Sequence, residues 1–200
     1  QSIRYIEKII KELHLKKVNI LGYSLGGRLA MQFSIKNQHK INKMILCSSS
    51  FGIKNKSERI SRIKSDEKII DLLRNNNIEK FVNYWEAIPL WKSEKKLPVE
   101  IKNKHRIIRL NQKNKGLMLN LRHQGQGVQE FLGESLKNIK IKTLIMYGEN
   151  DLKYKFISKE MSEIIENSEL SEVPSSGHNI ILENPIYISQ KIKKFILGEV

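Results

Sequence analysis

Cysteine is nearly absent from this chain, and long apolar runs are missing altogether. One cysteine in 200 residues excludes a disulfide framework and any zinc site built from several cysteines. No apolar run approaches the roughly 18 residues that a membrane-spanning helix needs, so we expect no membrane insertion. Aspartate is also scarce: only Asp66, Asp71 and Asp151 occur, which leaves few choices for a catalytic acid of that type.

Acidic residues are outnumbered, since 36 Lys+Arg face 21 Asp+Glu and give a formal net charge of +15. A charge of this size raises the question of nucleic-acid binding. However, the lysines are spread along the whole chain rather than gathered in one stripe, which favours a generally basic surface and no nucleic-acid site. A hydrophobic content of 40% and a charged content of 28% are typical of a folded globular protein with a buried core.

Helix and strand patterns alternate in the first and last parts of the chain. Helical spacing of apolar residues predicts helices at 2–14, 26–36, 154–166 and 185–197. Short apolar runs predict buried strands at 18–21, 41–47, 143–147 and 170–173. This alternation predicts an α/β fold whose mostly parallel sheet is covered by helices on both faces.

The middle of the chain has a different character. Residues 57–136 are polar, interleave Trp, Tyr and Phe, and contain no strand-like run. Helices are predicted there at 57–74, 78–86, 98–110 and 115–123. We therefore expect a helical cap insertion at 57–136 between two parts of one core, 1–56 and 137–200.

A nucleophile motif lies between the first predicted strand and the helix that follows it. Gly22-Tyr23-Ser24-Leu25-Gly26 is a G-x-S-x-G elbow in the strand–turn–helix context that such a motif requires. The glycines permit a tight turn that presents Ser24 at the carboxyl edge of the sheet. The backbone N–H of Leu25, at the start of a helix, is suited to stabilise developing negative charge.

A serine is a weak nucleophile until a base activates it. In hydrolases with this elbow the chain order is Ser, then Asp or Glu, then His. Asp151 follows the strand at 143–147, with Glu149 as a weaker alternative for the same role. His178 is the one histidine that follows both the serine and the acid, so the predicted triad is Ser24, Asp151 and His178.

The arginines form a second group of interest. Arg28 lies four residues after Ser24, hence one helical turn along the same face. A guanidinium beside the nucleophile suits an anionic substrate, because it binds a carboxylate with two hydrogen bonds. Among the arginines of the insertion, four are either ordinary surface residues or additional anion contacts: Arg59, Arg62, Arg106 and Arg109.

With these residues located, the chain resembles the α/β-hydrolase superfamily and, more narrowly, the 2-succinyl-6-hydroxy-2,4-cyclohexadiene-1-carboxylate (SHCHC) synthases, or MenH family, of menaquinone biosynthesis. Besides the elbow, four segments carry the narrower resemblance: 57–62, 81–90, 109–129 and 177–185. The resemblance implies the triad named above. It also implies that Tyr23, Arg28, Arg62 and Trp85 contact substrate, with Arg109 as a third carboxylate-binding arginine and Arg106 as its rival.

The resemblance further implies a reaction. A cytoplasmic lyase of this family would bind a small tricarboxylate, 2-succinyl-5-enolpyruvyl-6-hydroxy-3-cyclohexene-1-carboxylate, remove a ring proton and expel pyruvate, without a metal or an organic cofactor. Members of the superfamily begin with several strands and an oxyanion loop before the elbow. Because the sequence starts shortly before the elbow, we expect an N-terminally truncated domain that lacks those first strands.

Two other functions remain open at this point. The same fold and triad would serve a carboxylesterase or a carbon–carbon bond hydrolase in which Ser24 forms an acyl-enzyme. A non-catalytic basic protein that binds nucleic acid or an acidic surface is the second alternative, although it calls for clustered cations that the sequence does not show.

Overall fold

The computed structural model describes residues 2–198. Gln1, Glu199 and Val200 therefore lie outside the described residues, at the outer ends of the predicted core ranges 1–56 and 137–200. The chain forms two compact units. The core unit takes in the chain up to Phe51 and again from Leu132 onward, and the helical unit is Gly52–Phe131. The predicted insertion at 57–136 differs from the helical unit by five residues at each border.

The core unit contains a sheet that, within residues 2–198, has four strands in sequential order. They are β1 (Val18–Tyr23), β2 (Ile41–Cys47), β3 (Lys142–Gly148) and β4 (Ser168–Val173). Every neighbouring pair is parallel, with Tyr23 opposite Cys47 and Gly148 opposite Val173. The predicted parallel α/β architecture is therefore confirmed, and so are all four predicted strands.

Helices cover this sheet and bury its central strands. They are α1 (Ser2–Glu12), α2 (Leu25–Lys36), α7 (Gly133–Leu136), α8 (Leu152–Ile164), α9 (Ile180–Glu183) and α10 (Pro185–Leu197). Side chains of β2, β3 and β4 pack with Ile180, Ile188 and Phe195 in one buried cluster. Each such apolar side chain contributes roughly 1.5–3 kcal/mol by leaving water. The short helices α7 and α9 escape prediction, because one turn is too short for a periodic pattern.

The helical unit has its own small core. It comprises α3 (Lys56–Asn75), α4 (Ile78–Ala87), α5 (Val99–Leu110) and α6 (Asn114–Gln124), with a 3-10 segment at Pro89–Lys96. Asn55 and Asn77 begin α3 and α4 by accepting hydrogen bonds from the first free backbone N–H groups, which is the usual role of Asn at a helix start. Leu73, Phe81 and Val82 form the buried centre of this unit.

The turn from β1 to α2 is tightly built. Ser24 has a φ of 48°, in the left-handed region that costs energy for a residue other than glycine. Hydrogen bonds on both sides hold it there: its N–H donates to the Cys47 carbonyl at 2.9 Å, and its carbonyl accepts from the Ser49 hydroxyl at 2.9 Å. A Cβ atom at Gly22 would collide with the backbone of Gly26 and Gly27, so position 22 requires glycine.

We therefore expect a methyl group to change the stability of the protein in opposite directions at two glycines of this turn, Gly22 and Gly26. Gly22→Ala forces the backbone of the elbow apart and is expected to destabilise the protein by about 1–3 kcal/mol. Gly26→Ala adds a methyl group inside α2 that meets no atom within 4 Å apart from its chain neighbours and the backbone of its own helix. It is expected to be neutral or to stabilise by up to about 1 kcal/mol. Urea unfolding followed by circular dichroism measures both. Equal changes in the two variants would contradict the proposed packing of the turn.

Candidate active site

Polar side chains follow the carboxyl ends of three of the four strands. Ser24 follows β1, Asp151 follows β3 and His178 follows β4. Backbone hydrogen bonds continue beyond the strand ends, from Glu149 N–H to the Val173 carbonyl at 3.0 Å and from Asn150 N–H to the Ser176 carbonyl at 2.8 Å. The loops that carry the acid and the histidine are therefore fixed to one another by main-chain bonds.

The structure brings the three predicted triad residues into one hydrogen-bonded chain. His178 Nδ1 lies 2.9 Å from Asp151 Oδ2, and His178 Nε2 lies 3.2 Å from Ser24 Oγ. The histidine side chain is 2% exposed and the aspartate side chain 9%. Because the carboxylate accepts from Nδ1–H, Nε2 is left as the acceptor that faces the serine hydroxyl, which is the arrangement needed to remove its proton.

Asp151, and not Glu149, contacts the imidazole. The second oxygen of Asp151, Oδ1, accepts the Tyr154 N–H at 3.2 Å and thereby begins α8. Glu149 instead accepts the Ser175 N–H with Oε2 at 2.7 Å. The alternative acid thus supports the histidine loop from outside the triad.

Close packing also holds the loops of the acid and the histidine together. A Cβ atom at Gly148 would collide with the carbonyl oxygens of Ser176 and Gly177. The ring of Tyr154 packs on the His178 imidazole at a centroid distance of 4.4 Å, and the ring of Tyr23 at 5.6 Å. Sequence reasoning selected Tyr23 but missed Tyr154, whose place against the imidazole depends on tertiary packing.

The start of α2 lies beside the nucleophile. Leu25 is the first residue of this helix, so its N–H has no acceptor within the helix and belongs to the positive end of the helix dipole. Arg28 lies one turn further along, with its N–H on the Ser24 carbonyl at 3.3 Å. The nearby Cys47 is not a competing nucleophile, because burial raises the pKa of its thiol to about 12.

The helical unit holds Arg62 in a buried polar setting. Its Nε donates to Asp66 Oδ1 at 2.8 Å, and one terminal nitrogen donates to Gln126 Oε1 at 2.8 Å. Asp66 and Gln126 are buried, whereas the Arg62 side chain is 36% exposed. On the same helix, Arg59 donates from Nε to the Gly127 carbonyl at 3.2 Å.

Arg106 and Arg109 both bind carboxylates of their own unit. Arg106 contacts Glu86 and the Asn83 side chain. Arg109 donates to Glu86 Oε1 at 3.1 Å and to Glu94 Oε2 at 2.9 Å. Its guanidinium also lies over the Trp91 ring, 5.4 Å from the centroid. Each arginine is therefore part of one ion-pair network inside the helical unit.

A histidine next to this network stays neutral. His105 Nδ1 lies 3.8 Å from Glu94 Oε2. Burial lowers the pKa of His105, and the charge of Arg109 lowers it further, against the opposite effect of the two glutamates. At pH 7 the imidazole therefore adds no further positive charge beside the arginines.

Trp85 lies on the wall of a cavity within the helical unit. The cavity measures about 210 Å³. Its wall is mostly apolar, formed by Phe81, Trp85, Leu117 and Leu121, with Arg109 at the polar part. Trp85 also stacks on Phe81 at 5.7 Å and contacts Trp91 at 5.8 Å between ring centroids.

The described part of the chain contains neither a candidate membrane span nor a candidate metal site. Among residues 2–198, no helix combines the length and the apolar character that a membrane span requires. Within that same range, no three His, Cys, Asp or Glu side chains are grouped closely enough to bind a metal ion.

Comparison with known proteins identifies the family of this chain. The family model described as alpha/beta hydrolase fold matches residues 2–185. A Bacillus subtilis protein named as a 2-succinyl-6-hydroxy-2,4-cyclohexadiene-1-carboxylate synthase is 33% identical over 98% of this chain and 72% of its own length. The chloroplastic protein PHYLLO of Arabidopsis thaliana is 28% identical over 94% of this chain, which covers 11% of that much longer protein.

A solved structure extends the likeness to three dimensions. MenH from S. aureus superposes with a TM-score of 0.95 at 35% identity, over 98% of this chain and 74% of that one. The predicted resemblance is therefore confirmed: the chain belongs to the alpha/beta hydrolase fold family and, within it, to the family of the SHCHC synthases.

Proposed function

We propose that this protein eliminates pyruvate from 2-succinyl-5-enolpyruvyl-6-hydroxy-3-cyclohexene-1-carboxylate to give SHCHC. The observation that carries the proposal is the hydrogen-bonded chain Asp151–His178–Ser24, with an arginine one helical turn from the serine. Family membership supplies the reaction class, and the site supplies a base and a cation where that reaction needs them. An acid–base elimination of this kind uses no metal and no organic cofactor.

The triad acts here as a base rather than as an acylated nucleophile. His178 Nε2 accepts the Ser24 proton, and Asp151 stabilises the imidazolium that forms. The serine oxygen removes the ring proton next to the succinyl carbonyl. The electron pair of that C–H bond forms a ring double bond, the existing double bond shifts, and the carbon–oxygen bond to the enolpyruvyl group breaks. The departing enolate takes up a proton and becomes pyruvate.

Negative charge develops on the succinyl carbonyl oxygen during proton removal. The Leu25 N–H is suited to stabilise this charge by donating a hydrogen bond to the oxygen, because it lies at the amino end of α2 next to Ser24. Arg28 is suited to bind a substrate carboxylate, since it follows the serine by one turn of the same helix. Tyr23, whose ring contacts the imidazole, is a further substrate contact in this proposal.

In the helical unit, Arg62 is the better-suited cation for a second carboxylate. Its bonds to Asp66 and Gln126 use two of the five N–H donors of a guanidinium, and more than a third of the side chain is exposed. A cation fixed in this way loses little conformational entropy on binding. Trp85 remains a proposed substrate contact from the wall of its cavity.

Arg109 is better suited to bracing its own unit. Its side chain is 15% exposed and both terminal nitrogens donate to carboxylates. Arg106 shares Glu86 but is 32% exposed. We therefore favour Arg106 over Arg109 as a third substrate contact.

Removal of the nucleophile hydroxyl tests the reaction. We expect Ser24→Ala to lower pyruvate release by at least about a thousandfold, because the serine oxygen that takes the ring proton is lost. A coupled assay with lactate dehydrogenase and NADH measures the rate, and Ser189→Ala, an exposed serine of α10, is the control. Rapid turnover of nitrophenyl esters without pyruvate release would instead favour the acyl-serine hydrolase.

Substitution of Arg28 tests the nature of the substrate. Loss of a charge-assisted hydrogen bond of about 1.5–3 kcal/mol predicts that Arg28→Ala lowers kcat/KM by about ten- to a hundredfold. Arg28→Lys should recover part of this loss, since it keeps the charge without the planar fork. The exposed Arg122 provides the control variant Arg122→Ala. A wild-type kcat/KM in Arg28→Ala would contradict the proposed carboxylate contact.

The bracing role of Arg109 predicts an effect on stability. Arg109→Met removes the cation that bridges Glu86 and Glu94 and leaves Glu86 paired with Arg106 alone. We expect it to cost about 3 kcal/mol in the free energy of unfolding. The matched control is Arg74→Met, which removes an exposed ion pair with Asp71 and should cost at most about 1 kcal/mol. Urea unfolding of both variants measures the two losses in the free energy of unfolding. Equal costs would show that Arg109 is not a brace.

A further inference from the structure

Glu183 binds the backbone on both sides of the triad histidine. This glutamate ends α9, five residues after His178. Its Oε2 accepts the Gly177 N–H at 2.9 Å, and its Oε1 accepts the Asn179 N–H at 3.1 Å. The backbone N–H of Glu183 itself donates to the Asn179 carbonyl at 2.9 Å. One carboxylate therefore holds the backbone N–H groups of the two residues on either side of His178. The Asn179 N–H belongs to the peptide group that directly follows the histidine, and the Gly177 N–H belongs to the peptide group one residue before it.

The orientation of these peptide groups determines where the imidazole points. His178 must present Nδ1 to Asp151 and Nε2 to Ser24 at the same time. Rotation of the His178–Asn179 peptide plane, or a turn of the backbone at Gly177, would swing the Cα–Cβ bond of His178 and lengthen one of those two bonds. Hydrogen bonds to an ionised carboxylate are shorter and about twice as strong as neutral ones, so Glu183 is well suited to resist this rotation.

Other contacts of the loop act on different atoms. Asn150 N–H binds the Ser176 carbonyl, and the Tyr154 ring packs on the face of the imidazole. Glu149 accepts the Ser175 N–H, three residues before the histidine. These contacts fix the approach of the loop and the ring face, whereas Glu183 fixes the two backbone amides next to His178.

We propose that Glu183 is a positioning residue for His178. It acts through the backbone and through no contact with the substrate or the reacting atoms. The role rests on the proposed function in one respect, namely that His178 is the base. If the Glu183 side chain only capped the start of α9 by accepting the Asn179 N–H, it would raise stability alone. A positioning residue also sets the reactivity of Ser24.

The variant Glu183→Gln separates these two roles. Glutamine has nearly the same size, but its one carbonyl oxygen can accept only one of the two N–H groups that the carboxylate accepts. A misplacement of catalytic groups by fractions of an ångström predicts a fall in kcat of about ten- to a hundredfold, with KM unchanged. Glu183→Asp should also lower kcat, because its side chain is one methylene group shorter. The control is Glu166→Gln, which removes an exposed pair with Lys140.

A second measurement follows Ser24 without the substrate. A fluorophosphonate labels the serine only when the histidine removes its proton, so the labelling rate of Glu183→Gln should fall by a similar factor. The low-field proton resonance of His178 Nδ1–H should shift or broaden as well. Wild-type labelling and kcat in Glu183→Gln, with only a lower Tm, would overturn the positioning role. Glu183 would then only cap the start of α9.

The same pair of measurements keeps this inference apart from the proposed function. A wild-type protein that reacts with the fluorophosphonate but releases no pyruvate would refute the elimination and leave the role of Glu183 intact. Reduced labelling in Glu183→Gln would then still support it. Pyruvate release by the wild type, together with unchanged labelling in Glu183→Gln, would refute the role of Glu183 alone.

Discussion

Parallel pairing of the four strands brings residues that are far apart in the sequence to one edge of the sheet. Tyr23 lies opposite Cys47, Cys47 opposite Met146, and Gly148 opposite Val173. Strands β1, β3 and β4 each lead into a loop that carries one triad residue just beyond that edge. A shift of any strand by one residue would turn its side chains to the other face and would separate the serine, the histidine and the aspartate. Register therefore sets the geometry of the site before any side chain acts.

Positive charge is used in two ways in this protein. Many lysines lie on the surface, in exposed pairs such as Lys140 with Glu166 and Lys137 with Glu134, where an ion pair contributes little. Three arginines of the helical unit, Arg62, Arg106 and Arg109, are instead fixed by carboxylates and side-chain amides with defined geometry. The net charge of +15 thus says little about function, whereas the identity and burial of a few guanidinium groups say much.

The fold and the triad could be predicted because both follow from order along the chain. Short apolar runs define the strands. The triad residues follow one another along the chain in the order expected of this family: a glycine-flanked serine, then an acid, then a histidine. The contributions of Tyr154 and Glu183 could not be predicted, since a ring contact and two backbone hydrogen bonds depend on how a loop closes. Nor could the partners of Arg109 be found, because Glu86 and Glu94 reach it only through packing of separate helices.

The helical unit leaves the core unit after Phe51 and the chain returns at Leu132, where the Leu132 N–H binds the Phe51 carbonyl at 2.8 Å. A backbone hydrogen bond within the core unit thus joins the two points at which the inserted segment begins and ends. Evolution can exchange or reshape such a closed segment without altering the strands that carry the triad. One scaffold can in this way acquire new substrates by changing the inserted segment, and the same junction offers a natural place to graft a foreign segment by design.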